Sequence, residues 1–251
     1  MTVTSILKTT FRRAAGSYIG VYSAQAAFYI IMSFFPFVML FLSLLKYLPG
    51  TSLHIQMFIG DRADFFPENV SAVLENVFLE IYSGSSVPVM SVATVGALWA
   101  ASKGFMAIIG GLNYVYSVSE KRNWFTLRLV SVIYTLGLIA LLTVLVLLGL
   151  SHMNTMFMFL ILIILFLLLY TVIPDRKTKP QNELPGAIIS ASGFVIFSRC
   201  YSYYIENFPN DSAIYGSLAA VVFLMLWLYF CMYILFVGAV FNDVLSEDDM
   251  A

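Results

Sequence analysis

The sequence predicts an all-α, polytopic membrane protein with six transmembrane helices that form a single membrane domain over residues 1–251. The first observation behind this prediction is composition, because 61% of the residues are hydrophobic and only 11% are charged. Soluble domains carry about 25% charged residues, and a chain with less than half of that share cannot cover a globule with solvated side chains. The second observation is the recurrence of apolar runs of about 20 residues, the length that crosses a bilayer core as a helix.

Six apolar runs have the length of a transmembrane helix. The fourth is short and the first and last are long, so we expect tilting or extension beyond the bilayer in those segments. An even number of spans places both chain ends on the same side of the membrane. The predicted spans are 24–48, 87–112, 129–150, 156–173, 184–205 and 215–244.

The distribution of basic residues predicts the orientation of these spans. Of the 13 lysines and arginines, nine lie in the N-terminal segment and in the second and fourth loops. Short cytoplasmic loops carry an excess of Lys and Arg, so both termini are predicted to be cytoplasmic. The nine residues are Lys8, Arg12, Arg13, Lys121, Arg122, Arg128, Arg176, Lys177 and Lys179.

Two amphipathic helices are predicted outside the spans. Apolar residues recur at helical spacing over residues 6–18 beside three basic side chains, which indicates a helix on the inner leaflet. The long first outer loop is acidic, and residues 67–81 repeat the helical pattern after a proline that suits a first turn. We expect this second helix to lie on the outer surface or to cap the bundle.

Polar side chains form a stripe along the first predicted span. They follow one another at steps of three and four residues, which places them on one face of a helix. Unpaired polar groups are costly in hydrocarbon, so the stripe is expected to face the bundle interior, either as a hydrogen-bonded helix interface or as the lining of a cavity. The stripe consists of Tyr18, Tyr22, Gln25, Tyr29, Ser33 and Pro36.

Arg199 is a charged residue deep in the fifth predicted span, about 15 residues or roughly 22 Å from its cytoplasmic end. It either reaches outward to pair with Glu206 or Asp211, or it faces the interior and attracts an anion. Tyrosine hydroxyls on the sixth span add further polar groups. The candidate cavity or substrate residues are therefore Tyr22, Gln25, Tyr29, Ser33, Arg199, Tyr229 and Tyr233.

Helix bending is predicted at one proline and four glycines. Pro36 cannot donate to the carbonyl of Met32, which favours a kink at that point. Glycines are candidate places for helices to bend as access alternates. The predicted hinges are Pro36, Gly110, Gly111, Gly216 and Gly238.

No catalytic, cofactor-binding or metal-binding residues are predicted. His54 and His152 are single histidines without metal-ligand spacing, and neither a phosphate-binding GxxxxGK[ST] loop nor a GxSxG sequence occurs. A net charge of −1 provides no basic field for nucleic acid. We expect membrane lipids as partners, and rows of small residues in the second span permit a homo-oligomer while equally suiting packing within one chain.

Short motifs distributed over nearly the whole chain resemble one known family. Each is weak alone, but their order and spacing across the six spans are similar to the YihY/BrkB family of bacterial inner-membrane proteins. The motifs are Ala24, Ala27, Phe28, Tyr29, Ser33, Phe35 and Pro36; Gly110 to Tyr116; Ile173 and Pro174; Pro185, Gly186 and Ala187; Tyr215 to Leu218; Trp227; and Gly238, Ala239 and Asn242.

This resemblance implies a six-helix protein of the bacterial plasma membrane whose biochemical activity is poorly defined. Members have been named ribonuclease BN and virulence factors, and transport of lipids or other solutes has been proposed for the family. The sequence argues against a ribonuclease, because it contains neither a clustered acidic metal site nor a basic groove for a phosphate chain.

Two hypotheses of function remain. The first is a transporter or flippase-like protein for an amphiphilic, anionic envelope molecule, whose charged head Arg199 would hold. The alternative is a non-transporting membrane scaffold that docks an envelope partner through the acidic outer loop. In that case the polar stripes are contacts between helices.

Overall fold

The computed structural model describes residues 3–46, 87–147, 155–176, 178–207 and 216–248. These residues form seven α-helices and no β-strand, which confirms the all-α prediction for the part of the chain that is described. The helices are α1 (Val3–Gly16), α2 (Ile19–Lys46), α3 (Val87–Val115), α4 (Trp124–Leu147), α5 (Thr155–Val172), α6 (Pro180–Asn207) and α7 (Gly216–Asp248).

Two helices contain described segments that are long and apolar enough to cross a membrane. These segments are Pro180–Tyr204 in α6 and Val221–Glu247 in α7. Shorter apolar helical segments occupy Ile19–Ser33, Trp124–Leu138 and Met156–Val172. The total of six spans stays a prediction.

The N-terminal helix α1 lies against the end of α7. Ile6, Thr10 and Ala14 are buried at four-residue steps, so one face of α1 is covered by protein. On the neighbouring position, Arg13 forms ion pairs with Asp243 and Glu247 of α7. The helix predicted on the inner leaflet is thus fixed to the bundle on one side. The second amphipathic helix, predicted over 67–81, lies outside the described residues.

The main helix contacts follow the order α4–α3–α2–α7–α6–α5, with α1 attached to α7. The closest partners are α2 and α3, where a Cβ on Gly104 would lie 3.1 Å from Cγ1 of Ile30. Small residues permit this approach of two backbones, as the sequence of the second span predicts. Many of the best-buried side chains lie in the last turns of α3 and α5, the first turns of α6 and the second half of α7, and they include Leu112, Tyr170, Ala187 and Phe236.

The predicted inward stripe of α2 is only partly correct. Ser33 is buried, but Tyr18 is 68% exposed and Gln25 is also exposed. The buried face lies about one residue further around the helix and carries Ile19, Ser23, Ala26, Ala27 and Ser33. Small side chains occupy this face because the neighbouring backbones come close, and the hydroxyl of Ser23 is satisfied within α2 by the carbonyl of Ile19 at 2.7 Å.

Candidate functional site

A buried carboxylate joins three parts of the bundle. Glu183, the fourth residue of α6, is only 2% exposed. Its Oε2 accepts hydrogen bonds from the hydroxyl of Tyr116 at 2.9 Å and from Nδ2 of Asn242 at 3.0 Å. Its Oε1 accepts from Oγ1 of Thr178 at 2.9 Å and from the guanidinium of Arg176. We call these five residues the Glu183 network.

Local structure explains why a carboxylate is tolerated at this buried position. Glu183 lies in the first turn of α6, where the free N–H groups and the helix dipole favour a negative charge. Asn242 completes the connection to α7, because its Oδ1 accepts from the backbone N–H of Gly186 at 2.7 Å and its Nδ2 donates to the carbonyl of Glu183 at 3.1 Å. The amide of Asn242 therefore bonds the backbone and the side chain of α6 together.

Glycines allow α6 and α7 to approach closely beside this network. A Cβ on Gly186 would lie 2.3 Å from the carbonyl oxygen of Gly238, and a Cβ on Gly238 would lie 1.9 Å from Oγ of Ser190. The hydroxyl of Tyr170, from α5, lies 2.7 Å from Oγ of Ser190 and donates to the carbonyl of Leu235 at 2.7 Å. The predicted hinge at Gly238 thus occupies a tight crossing of three helices.

Tyr116 and Arg176 are coupled to Glu183 electrostatically as well as by hydrogen bonds. Burial, followed by the nearby Glu183 carboxylate, raises the pKa of Tyr116 well above its ordinary value, so its hydroxyl remains a proton donor. The guanidinium of Arg176 lies 3.4 Å from the centre of the Tyr116 ring, in cation–π contact. These interactions hold the end of α3 against the segment that precedes α6.

A second polar group lies at the same end of the bundle. Asn113 donates from Nδ2 to Glu120 at 2.8 Å and accepts at Oδ1 from the backbone N–H of Asp175 at 3.2 Å. Glu120 is paired with Arg122 at 2.7 Å, and this hydrogen bond is the main reason that the pKa of Glu120 is lowered. Asn113 therefore links the α3–α4 connection to the α5–α6 connection.

The Glu183 network fastens helices together, and its carboxylate oxygens are occupied by protein donors, although the buried Nε of Arg176 has no hydrogen-bond partner among the described residues. Each carboxylate oxygen of Glu183 already accepts two hydrogen bonds from the protein. Within the described residues there is also no group of three or more His, Cys, Asp or Glu side chains that could hold a metal ion. An open depression of about 560 Å³ lies nearby at the start of α6, lined by Thr178, Lys179, Gln181 and Asn182, but it contains none of the predicted cavity residues.

The predicted cavity residues of α2 occupy different environments. The ring of Tyr22 packs 5.3 Å from that of Tyr114, Gln25 is exposed, and the half-buried Tyr29 has Nζ of Lys103 at 5.6 Å from its ring centre. Ser33 is buried, and its hydroxyl donates to the carbonyl of Ile30 at 3.0 Å.

The predicted cavity residues of α6 and α7 do not lie together at one place either. Tyr229 and Tyr233 lie with ring centres 6.2 Å apart, and a Cβ on Gly20 would lie 3.3 Å from the Tyr229 hydroxyl, so this pair borders α2. Arg199 is exposed, and among the described residues no hydrogen bond, ion pair or cation–π contact joins it to the α2 residues or to these tyrosines. A common cavity for all seven residues stays a prediction.

The other predicted hinges also differ in their surroundings. Pro36 lies within the continuous helix α2, and Gly216 is the first residue of α7. Gly110 and Gly111 contact Tyr22, and a Cβ on Gly111 would lie 2.3 Å from the ring of Phe236. Close packing against Phe236 thus explains why glycine occupies position 111, and no bending of α3 is needed to account for it.

Sequence reasoning missed Glu183 as the centre of a network. The local signal was a single carboxylate placed a few residues after three basic residues and two residues before Pro185, where the segment Pro185 to Ala187 begins. Several residues that carry the family resemblance surround it: Asn113, Tyr116, Gly186, Gly238 and Asn242. Motifs that are far apart in the chain therefore meet at one end of the fold.

Comparisons with known proteins identify the family of this chain. The family model described as Virulence factor BrkB matches residues 10–251. The chain is 28% identical over 248 residues to "Putative ribonuclease-like protein YfkH" of Bacillus subtilis, covering 90% of this chain and 89% of YfkH. It is 26% identical over 257 residues to UPF0761 membrane protein PBPRA3489 of Photobacterium profundum, covering 94% and 79% of the two chains.

A third relative is UPF0761 membrane protein VSAL_I2938 of Aliivibrio salmonicida, which is 29% identical over 246 residues, covering 89% of this chain and 77% of the relative. No solved structure matches the chain. The ribonuclease-like name describes YfkH and defines no activity for this chain. Because the family model covers nearly all of the sequence, the protein belongs to the BrkB family of membrane proteins.

Proposed function

We propose that this protein is a transporter or flippase-like protein for an amphiphilic, anionic molecule of the cell envelope. In this proposal it crosses the bacterial inner membrane six times and has both termini in the cytoplasm. The observation that carries the proposal is an exposed arginine, Arg199, within the long apolar helix α6. A transported molecule with an anionic head and an apolar body would suit such a position.

In the predicted span 184–205, Arg199 would lie at a depth where a bare charge is unfavourable. It precedes the end of α6 at Asn207 by eight residues, or about 12 Å of helix. Among the described side chains, no carboxylate pairs with it, and its two predicted partners, the side chain of Glu206 and residue Asp211, lie outside the described part of the chain. An ionisable side chain in the membrane generally meets water, a counter-ion or a substrate, so an anionic group is a favourable partner for this guanidinium.

The residues around Arg199 favour an amphiphile over a small hydrated solute. Ile196 and Tyr203 are 64% and 69% exposed, and Cys200 and Tyr204 are exposed beside them, so this face of α6 is not covered by another described helix. A cation bordered by apolar and aromatic side chains can bind a charged head while the rest of the molecule stays in contact with hydrocarbon.

The proposed orientation places the Glu183 network at the cytoplasmic end. Glu183 and Arg199 are 16 residues apart on α6, which corresponds to about 24 Å. The network links α3, the α5–α6 connection and α7, so it supports a bundle that is closed at the cytoplasmic end. The exposed face of α6 that carries Arg199 is then accessible nearer the outer end.

The proposal is tested by the molecules that the purified protein retains in native nanodiscs. The wild type should enrich an anionic amphiphile relative to the bulk membrane, and Arg199→Gln should lose that enrichment. Arg199→Lys should retain part of it because the charge is preserved. Arg12→Gln is the matched control, since Arg12 is an exposed arginine on α1 outside the predicted spans. Retention of lipids in bulk proportions by all four proteins would refute the proposal.

The alternative function, a scaffold that docks an envelope partner, depends on the acidic outer loop. That loop lies within residues 47–86, outside the described part of the chain, and no described contact favours this function. Capture of one stoichiometric protein through residues 68–81, without any enriched amphiphile, would support the scaffold instead.

A further inference from the structure

Arg128, the fifth residue of α4, is a buried cation without a described counter-ion. It is 5% exposed, and one of its terminal nitrogens donates to the carbonyl of Trp99 while the other lies 3.2 Å from the sulfur of Met106. Its Nε is buried and has no hydrogen-bond partner. The buried Nε of Arg176 also lacks a partner, but the guanidinium of Arg176 pairs with Glu183, and that of Arg122 pairs with Glu120.

A buried guanidinium held in this way lacks charge compensation. A carbonyl and a thioether are neutral acceptors, and sulfur is a weak one. Removing a charge from water costs several kcal/mol unless an opposite charge or a full set of hydrogen bonds replaces the solvent. The position of Arg128 therefore favours an anion supplied from outside the described chain.

Exposed tryptophan and apolar side chains surround Arg128. Its guanidinium carbon lies 4.0 Å from the ring centre of Trp99, and that ring meets Trp124 edge to face at 6.2 Å. Both tryptophans are at least half exposed, and Phe125 and Leu129 are exposed beside them. Trp124 and Arg128 adjoin the start of the predicted span 129–150, and tryptophan is enriched where bilayer hydrocarbon meets the headgroups. Trp99 lies within the predicted span 87–112, so its ring and the exposed apolar side chains suit contact with acyl chains.

The start of α4 adds a further favourable field for a negative charge. The side chain of Asn123 caps the helix by accepting from the backbone N–H of Thr126 at 2.8 Å. The dipole of α4 is positive at this end, and Arg128 lies within its first turns. The guanidinium of Arg128, the positive end of the α4 dipole and the rings of Trp99 and Trp124 thus lie on the same side of the bundle.

We propose that Arg128, Trp99 and Trp124 form a binding site for the phosphate of an anionic phospholipid. A phosphate oxygen replaces the weak sulfur contact of Met106 and accepts from the guanidinium, and the acyl chains lie against Phe125 and Leu129. Free inorganic phosphate shares the charge but lacks the apolar part. This site is separate from Arg199, so it does not depend on the proposed transport function.

The first test is lipid-dependent stability of the full chain in a neutral detergent. Added phosphatidylglycerol should raise the unfolding midpoint of the wild type more than phosphatidylcholine does, because ligand binding to the folded state stabilises it. Arg128→Met should lose this effect, and Arg128→Lys should need about tenfold more phosphatidylglycerol, as expected when charge-assisted hydrogen bonds are weakened. Lys121→Gln, a change in an exposed neighbouring cation, should respond like the wild type.

Misfolding of the variant is controlled in the same experiment. Without lipid, Arg128→Met should unfold at or above the wild-type midpoint, because an uncompensated buried charge has been replaced by an apolar side chain. Equal stabilisation of Arg128→Met and the wild type by phosphatidylglycerol would overturn the proposal. Equal stabilisation of the wild type by inorganic phosphate alone would overturn the assignment to a lipid.

A second test needs no change at Arg128. The chain has three tryptophans, so Trp227→Phe leaves Trp99 and Trp124 as its two tryptophan fluorophores, which can be excited selectively over tyrosine. Phosphatidylglycerol with brominated chains should quench their emission at a lower mole fraction than brominated phosphatidylcholine. Identical quenching curves for the two lipids would also overturn the proposal.

Discussion

Replacing Gly238 by alanine should destabilise the bundle strongly. The new Cβ would lie 1.9 Å from Oγ of Ser190, 2.6 Å from the Tyr170 hydroxyl and 2.7 Å from the carbonyl of Gly186. The last of these is backbone, so α6 and α7 must separate or the hydroxyls must move. Movement of the hydroxyls breaks the bonds that Tyr170 makes with Ser190 and with the carbonyl of Leu235.

The expected loss can be worked out from these contacts. Overpacking a tight site costs about 1–3 kcal/mol, and leaving one buried polar group without its partner adds about 1–3 kcal/mol. We therefore expect Gly238→Ala to lower the free energy of unfolding by about 2–6 kcal/mol. The assay is reversible unfolding of the purified protein in mixed micelles, followed by tryptophan fluorescence.

Gly137→Ala is the matched control for this prediction. Gly137 is also inside a helix, but a Cβ there would have nothing within 4 Å. Alanine should be neutral at this position or stabilise α4 by about 0.5–1 kcal/mol, because glycine is the poorer helix former. If Gly238→Ala proved as stable as Gly137→Ala, the packing argument would be refuted. Lost transport with unchanged stability would instead favour a hinge at Gly238.

Two further predictions concern the charged groups at the same end of the bundle. Glu183→Gln should lower the free energy of unfolding by about 3 kcal/mol, because it leaves the guanidinium of Arg176 without its carboxylate. Combining it with Arg176→Met should recover part of this loss. If the two changes in unfolding free energy simply added, the coupling between the two residues would be contradicted. The lowered pKa of Glu120 means that its pairing with Arg122 stabilises the fold fully above the ordinary value of 4.5 and loses that contribution as the pH falls through the lower folded-state pKa. In unfolding measurements across this acid range, Arg122→Gln should flatten the pH dependence, and an unchanged slope would rule the pair out as its source.

The sequence predicted the helices most closely where hydrophobicity alone sets their bounds. The predicted span 156–173 corresponds to α5, Thr155–Val172, because almost every residue in it is apolar. The predicted span 184–205 matches the apolar part of α6, but it begins four residues after the first residue of the helix, Pro180. Pro180 opens that helix before the apolar run starts, since proline suits a first turn, and Glu183 therefore lies inside the helix.

The features that the sequence did not reveal depend on contacts between distant residues. Glu183 is bonded by Tyr116 and Asn242, which are 67 and 59 positions away. Periodicity cannot show such pairing, and a lone acid beside basic residues resembles a solvated loop. The same reason explains why the inward face of α2 was predicted incorrectly at Gln25. Which helices pack against α2 decides whether Gln25 or Ala26 becomes buried, and the sequence does not show that packing.

The most direct test of the central claim is lipid movement across vesicles that contain the purified protein. Fluorescent anionic phospholipid is placed in both leaflets, and an impermeant reductant bleaches the probe that reaches the outer leaflet. The transport proposal predicts that the wild type exposes the inner-leaflet probe and that Arg199→Gln does so far more slowly, while Arg12→Gln matches the wild type. Bleaching by the wild type at the rate of protein-free vesicles, for anionic and zwitterionic probes alike, would contradict a flippase-like function.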